Sequence, residues 1–182
     1  MRFLTIFVAF FLSPNASLAE NLVPFPSHLL PVGTVLTYEY DNGQKSTRRV
    51  LSNDGNGFEI LQRGSRDYAL FERIIVASPR GMVTKLEEKE QDWVYQPHNC
   101  IRVIGECGYT VSKIDGDTYS RNYQSTFKNG LLIAEVLDEE GKTVFLYKIL
   151  YDDEGMILNW TEQRRGKTPT VMKLVNVTPP ND

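Results

Sequence analysis

Short strand-like runs punctuated by glycine-bearing turns constrain this chain more than any other feature of its sequence. Leu131 to Leu137, Thr143 to Tyr151, Met156 to Gln163 and Thr170 to Val177 are such runs. They are separated by Asp138-Glu139-Glu140-Gly141, Asp152-Asp153-Glu154-Gly155 and Arg164-Arg165-Gly166-Lys167, each a cluster of charged residues with a glycine. A parallel crossover needs about a dozen residues or more, so connections this short force neighbouring strands to run antiparallel. The same pattern begins upstream. Thr34 to Tyr40 alternates, with Leu36, Tyr38 and Tyr40 on one face and Val35, Thr37 and Glu39 on the other, and Asp41-Asn42-Gly43 follows as a hairpin turn. Ser46 to Ser52, Phe58 to Gln62, Met82 to Glu87, Trp93 to Gln96 and Tyr119 to Lys128 extend the series. Glu87 to Asp92 reads as a charged connection, and Tyr119 to Lys128 is polar enough to lie at an edge or face water. Arg66 to Ala77 fits a helix face through Tyr68, Phe71 and Ile75 and a strand face through Tyr68, Leu70, Ile74 and Val76. Its β-branched run, Ile74-Ile75-Val76, favours the strand. The expectation is a mostly β chain, an antiparallel meander of about ten short strands forming a curved sheet, half-barrel or barrel. It occupies a single domain over residues 33–178.

The segments flanking that domain read differently. Met1-Arg2 is a positive start, Phe3 to Leu12 is apolar apart from Thr5, and Ser17-Leu18-Ala19 offers small residues at a cleavage point. Residues 1–19 therefore read as a secretory signal peptide cut after Ala19. Its apolar stretch is about half the roughly 20 residues that a spanning helix needs. The expected location is the periplasm or the cell exterior. Residues 20–32 hold Pro24, Pro26 and Pro31 and form an extended lead-in, and residues 179–182 are a polar tail. The formal charge is −3, and −4 once Arg2 is removed with the signal. Such a balance offers no basic stripe for nucleic acid. No second stretch approaches membrane-spanning length, and the alternation of a lipid-facing barrel is not sustained.

Cys100 and Cys107 are the two cysteines, and an oxidising compartment makes them a disulfide closing across a turn near Gly105. The spacing is not Cys-x-x-Cys, and His98 is the only nearby imidazole, so neither redox nor metal chemistry is indicated. No cofactor is implied. The catalytic inventory is His28 and His98, with no serine placed in a nucleophile elbow. The acid pairs Asp115/Asp117, Glu139/Glu140 and Asp152/Asp153 fall in turns, where carboxylates bind backbone amides. Arg48-Arg49 and Arg164-Arg165 offer an anion-binding surface as one reading and solvated surface as the favoured one, because adjacent strand residues point to opposite faces and neither pair is a patch by itself.

Leu131 to Leu137 and Thr143 to Tyr151 are apolar on both faces, which calls for cover on both sides by a sheet, the lead-in or a ligand. At the level of architecture, this layout is similar to the curved sheets of periplasmic lipoprotein carriers, and the likeness implies a concave apolar surface. The expected function is non-enzymatic: binding of an apolar or envelope-derived ligand, or of an envelope protein, on a concave face. Trp93, Phe145, Tyr147, Ile149, Tyr151 and Trp160 are the candidate lining residues. A histidine-dependent envelope hydrolase and an assembly module pairing through a sheet edge are the alternatives.

Overall fold

A computed structural model describes residues 21–66, 69–89, 91–114 and 116–180. The expected signal peptide, Tyr68, Asp115 and the last two residues of the tail lie outside them. Twelve strands follow one another: Val35–Tyr40 (β1), Lys45–Asn53 (β2), Phe58–Arg66 (β3), Ala69–Ala77 (β4), Val83–Glu88 (β5), Gln91–Gln96 (β6), Gly105–Lys113 (β7), Thr118–Lys128 (β8), Leu131–Leu137 (β9), Thr143–Tyr151 (β10), Ile157–Arg164 (β11) and Thr170–Thr178 (β12). Each pairs antiparallel with its chain neighbour, and β1 pairs with β12, so the meander closes into a barrel. Closure leaves no free edge, which removes the edge position considered for Tyr119 to Lys128. That segment is β8, whose Ser120, Asn122 and Gln124 do face water.

Twelve strands stand where about ten were expected, and charge hid the facing ends of two strands that the sequence did show. Glu87 pairs with Asp92 and Glu88 with Gln91, so the expected charged connection is the tip of the β5–β6 hairpin. The ion pairs of Lys85 with Glu87 (2.8 Å) and Asp92 (3.1 Å) lie on its outer face. The disulfide joins Cys100 to Cys107, but not as a hairpin. Pro97, without an N–H to donate, follows the end of β6; Cys100 lies in the connection, and Gly105 opens β7 rather than forming the turn.

Alternation sorts the strands into a lumen face and an outer face. Leu36, Tyr38, Val50, Phe58, Ile75, Leu132, Ala134, Val136, Ile149 and Met172 are buried inside. The doubly apolar pair β9 and β10 is covered on that side only. Its outward Leu131, Ile133 and Leu150 remain 36%, 41% and 39% exposed, contrary to the expected two-sided cover.

The lead-in closes one end of the barrel. It turns once through a 3-10 segment at Ser27–Leu29 and buries Val23, Pro26 and Leu30. Val23 N–H donates to Arg102 O (2.9 Å) and Ile104 N–H to Asn21 O (2.7 Å), tying the lead-in to the β6–β7 connection. Arg102, 4% exposed, donates to Pro24 O (2.6 Å) and twice to Gly155 O (3.2 Å each). Its guanidinium also lies 4.8 Å from the Phe25 ring centroid and 5.1 Å from that of Tyr151. Two glycines give the lead-in room. A Cβ on Gly155 (φ +86°) would stand 2.0 Å from Pro24 O, and one on Gly81 (φ +74°) would stand 2.1 Å from the Phe25 ring.

Candidate functional site: the open mouth of the barrel

Among the described residues, no segment plugs the opposite end. It is framed by the hairpin turns after β1, β3, β5, β7, β9 and β11. A cavity of about 660 Å³ opens there between the β1–β2 and β11–β12 turns. Tyr40, Glu162, Arg164 and Thr170 line it from the lumen side, and Asn42, Gln44, Lys167 and Pro169 from the rim. That volume falls within the roughly 300–1,000 Å³ of small-molecule sites.

Beside the cavity-lining Glu162 and Arg164 stands an aromatic stack built by cross-strand pairing. Phe145 pairs with Arg164, Tyr147 with Glu162 and Ile149 with Trp160, so β10 presents its rings directly to the inward side chains of β11. Phe145 stacks on Tyr147 at 5.8 Å, and Tyr147 meets Trp160 edge-on at 5.4 Å. These three are half-buried. Ile149 (0% exposed) and Tyr151 (3%) are sealed deeper, and the Tyr151 hydroxyl donates to Ile101 O at 3.3 Å. Trp93 stands on another part of the wall, beneath the Lys113 ammonium. The six candidate residues all face the lumen. The structure brings Phe145, Tyr147 and Trp160 together, places Ile149 and Tyr151 in the core, and leaves Trp93 apart from the others.

Tyrosine hydroxyls from several strands share this interior. Burial raises the Tyr95 pKa, holds that of Tyr147 well above the ordinary value, and pushes those of Tyr109 and Tyr151 up to about 12. All are therefore neutral hydroxyls. The groups interact across the lumen, since Tyr95 on β6 feels Arg73 on β4 and Glu162 on β11.

Charge is the part of the site that the sequence reading sets second for Arg48 and Arg164 and does not see for Arg73, Lys113 and Arg121. Arg48 is a lumen residue rather than solvated surface, pairing with buried Leu36 and Gln62, whereas Arg164 takes the lumen phase beside Phe145 but keeps a side chain 54% exposed. Arg73, Lys113 and Arg121 also point inward. Each of the five lies over a ring: Arg48 on Tyr38 (4.7 Å), Arg73 on Phe71 (5.7 Å), Lys113 on Trp93 (5.1 Å), Arg121 on Tyr119 (5.1 Å) and Arg164 on Phe145 (5.4 Å). Such a contact is worth about 0.5–2 kcal/mol. Withdrawing an ion from water costs several kcal/mol, so the rings offset only part of the burial. Arg73 shows the consequence. Burial, reinforced by the neighbouring Arg48 charge, lowers its pKa against the pull of Glu88. Its Nε donates to Gln62 Oε1 (2.9 Å) and its Nη1 to Glu88 Oε1 (3.3 Å). The detectable signal was phase: Arg48 alternates with Ser46 and Val50, and Arg164 with Glu162 and Trp160.

Both histidines belong to the plugged end. His28 is exposed beside Glu154 (3.1 Å), and His98 Nδ1 lies 2.8 Å from Asn99 O in the β6–β7 connection. Among the described residues, no group of three or more histidine, cysteine, aspartate or glutamate side chains is placed to hold a metal. The turn carboxylates do what turns require. Asp138 Oδ1 accepts from the backbone N–H of Glu140 and Lys142, and Asp152 Oδ1 from those of Glu154 and Met156. No helix among the described residues is long and apolar enough to cross a membrane. Compared with family models, curated proteins and solved structures, the chain matches none of them.

Proposed function

We propose that this chain is an exported binding protein that holds a small molecule with an apolar part in the open mouth of its barrel. The observation that carries this reading is the asymmetry of the two ends. One end is stoppered by the lead-in and locked by Arg102. The other holds a cavity whose Glu162 and Arg164 pair across strands with the half-buried Tyr147 and Phe145 of the aromatic stack. A fold stabilised only for its own sake would gain by burying those rings fully, as it does Ile149. Export is supported by the signal-like residues 1–19 and by the Cys100–Cys107 bridge. The location of both histidines at the stoppered end favours binding over histidine-dependent hydrolysis.

Native mass spectrometry of the protein purified from an oxidising compartment tests the proposal. The expected result is a co-purifying mass that partitions into organic solvent, with Trp fluorescence that changes when the extracted material is returned. An empty protein whose fluorescence responds to no amphiphile would refute it.

A further inference from the structure

We propose that the mouth selects anions, so that its ligand is an amphipathic molecule with a carboxylate or phosphate head on an apolar tail. This rests on the binding reading above and names the chemistry of that site.

The barrel sorts its charges by face. On the outer face, cations meet acids: Lys45 lies by Glu39, Arg63 by Glu72, and Lys85 between Glu87 and Asp92. The lumen face differs. Among the described strand residues, Arg48, Arg73, Lys113, Arg121 and Arg164 point inward against only Glu88 and Glu162. Glu88 is engaged by Arg73 and Glu162 by Arg164. A chain of formal charge −3 thus has more cations than acids on the lumen face of its described strands.

A second observation lies deeper in the lumen. The Nε–H of Arg48 is buried and has no hydrogen-bond acceptor among the described residues. One cross-strand row runs Arg48, Gln62, Arg73, Glu88, which brings the two guanidinium groups close enough for Arg48 to act on Arg73. Tyr40, on the wall of the cavity, lies within electrostatic reach of Arg73 and so links the open space to this pair. A guanidinium stacked on a ring still offers its N–H edge to oxygen, as Arg73 does to Gln62 and Glu88, and the Arg48 Nε–H is left for a carboxylate or phosphate oxygen. The Phe145–Tyr147–Trp160 stack supplies the surface for the tail.

The test is a charge series on the wild-type protein at low ionic strength, read by calorimetry and Trp fluorescence. The probes are decanoate, decyl phosphate, decanol and decyltrimethylammonium, with inorganic phosphate as competitor. Decanoate and decyl phosphate are expected to bind at least tenfold tighter than the neutral and cationic probes, and to weaken as salt rises. Arg48→Gln and Arg73→Gln should each weaken decanoate at least tenfold with the far-ultraviolet spectrum retained. Equal binding of all four decyl probes would overturn the anion inference and leave the binding reading standing. Inorganic phosphate binding as tightly as decyl phosphate would overturn the amphiphile assignment in favour of a free anion. No binding by any probe would remove both readings.

Discussion

Arg102 should hold the lead-in in place, and replacing it should loosen one end of the barrel before the rest. Arg102→Met keeps the length of the side chain and deletes its charge. Pro24 O and Gly155 O, which now accept three hydrogen bonds from the guanidinium, would lose their donors. Stranding a buried acceptor costs about 1–3 kcal/mol. The ring contacts with Phe25 and Tyr151 add about 0.5–2 kcal/mol each. Against this, methionine no longer carries the cost of a buried ion, several kcal/mol, which burial expresses by lowering the Arg102 pKa. The balance is a net loss of about 2–4 kcal/mol, or roughly 4–16 °C in Tm for a chain of this size. Arg102→Lys should cost at least as much, because it keeps the buried charge without the planar fork. Thermal unfolding by circular dichroism gives the magnitude, and amide exchange gives the location. The Val23 and Ile104 amides, which bond across the lead-in, should exchange faster, while that of Leu132 in the barrel wall should not. Gly155→Ala, whose Cβ would press on Pro24 O, should give the same exchange pattern. Unchanged Tm in Arg102→Met, or acceleration spread evenly over all strands, would refute the reasoning.

Two other predictions concern the fold. Cys100→Ser should lower stability by about 2–3 kcal/mol without abolishing the barrel, because the bridge closes a short loop between the β6–β7 connection and a strand the sheet already pairs; equal Tm with and without reductant would contradict this. Alkaline titration should be delayed and coupled to unfolding. Tyr109 and Tyr151 have pKa values pushed from 10 to about 12 by burial, so each favours the folded state by roughly 3 kcal/mol below pH 10, a contribution lost as pH rises through 12. Phenolate absorbance should therefore rise in two steps, exposed rings first and lumen rings with loss of the far-ultraviolet signal. A single smooth rise near pH 10 would show that the lumen is wet.

Local structure was legible in the sequence because it is set by local chemistry. The alternation of Leu36, Tyr38 and Tyr40 identified the inner face of β1, and the glycine-bearing clusters after Leu137, Tyr151 and Gln163 placed three hairpins. Ring closure was not legible. The seam pairs Leu36 with Val177 and Tyr38 with Leu174, and no residue there differs in kind from one facing an ordinary neighbour. The lead-in as a plug was hidden for a similar reason, since Gly81 and Gly155 resemble any turn glycine until Phe25 and Pro24 come to rest on them. Inward cations were misread because a lone arginine in an alternating strand is normally the solvent-facing member. Only the phase of Arg48 with Val50, combined with closure, reverses that reading.

The seam also governs how the molecule must come together. Eleven of its twelve strand pairings join consecutive strands and can form hairpin by hairpin at low cost in loop entropy. The twelfth joins the first strand to the last. A chain delivered N-terminus first must hold β1 with one side unpaired until β12 arrives, and through that interval both ends of the growing sheet can recruit strands from other molecules. Losses to aggregation should therefore follow the time taken to close the ring rather than the stability of the closed barrel.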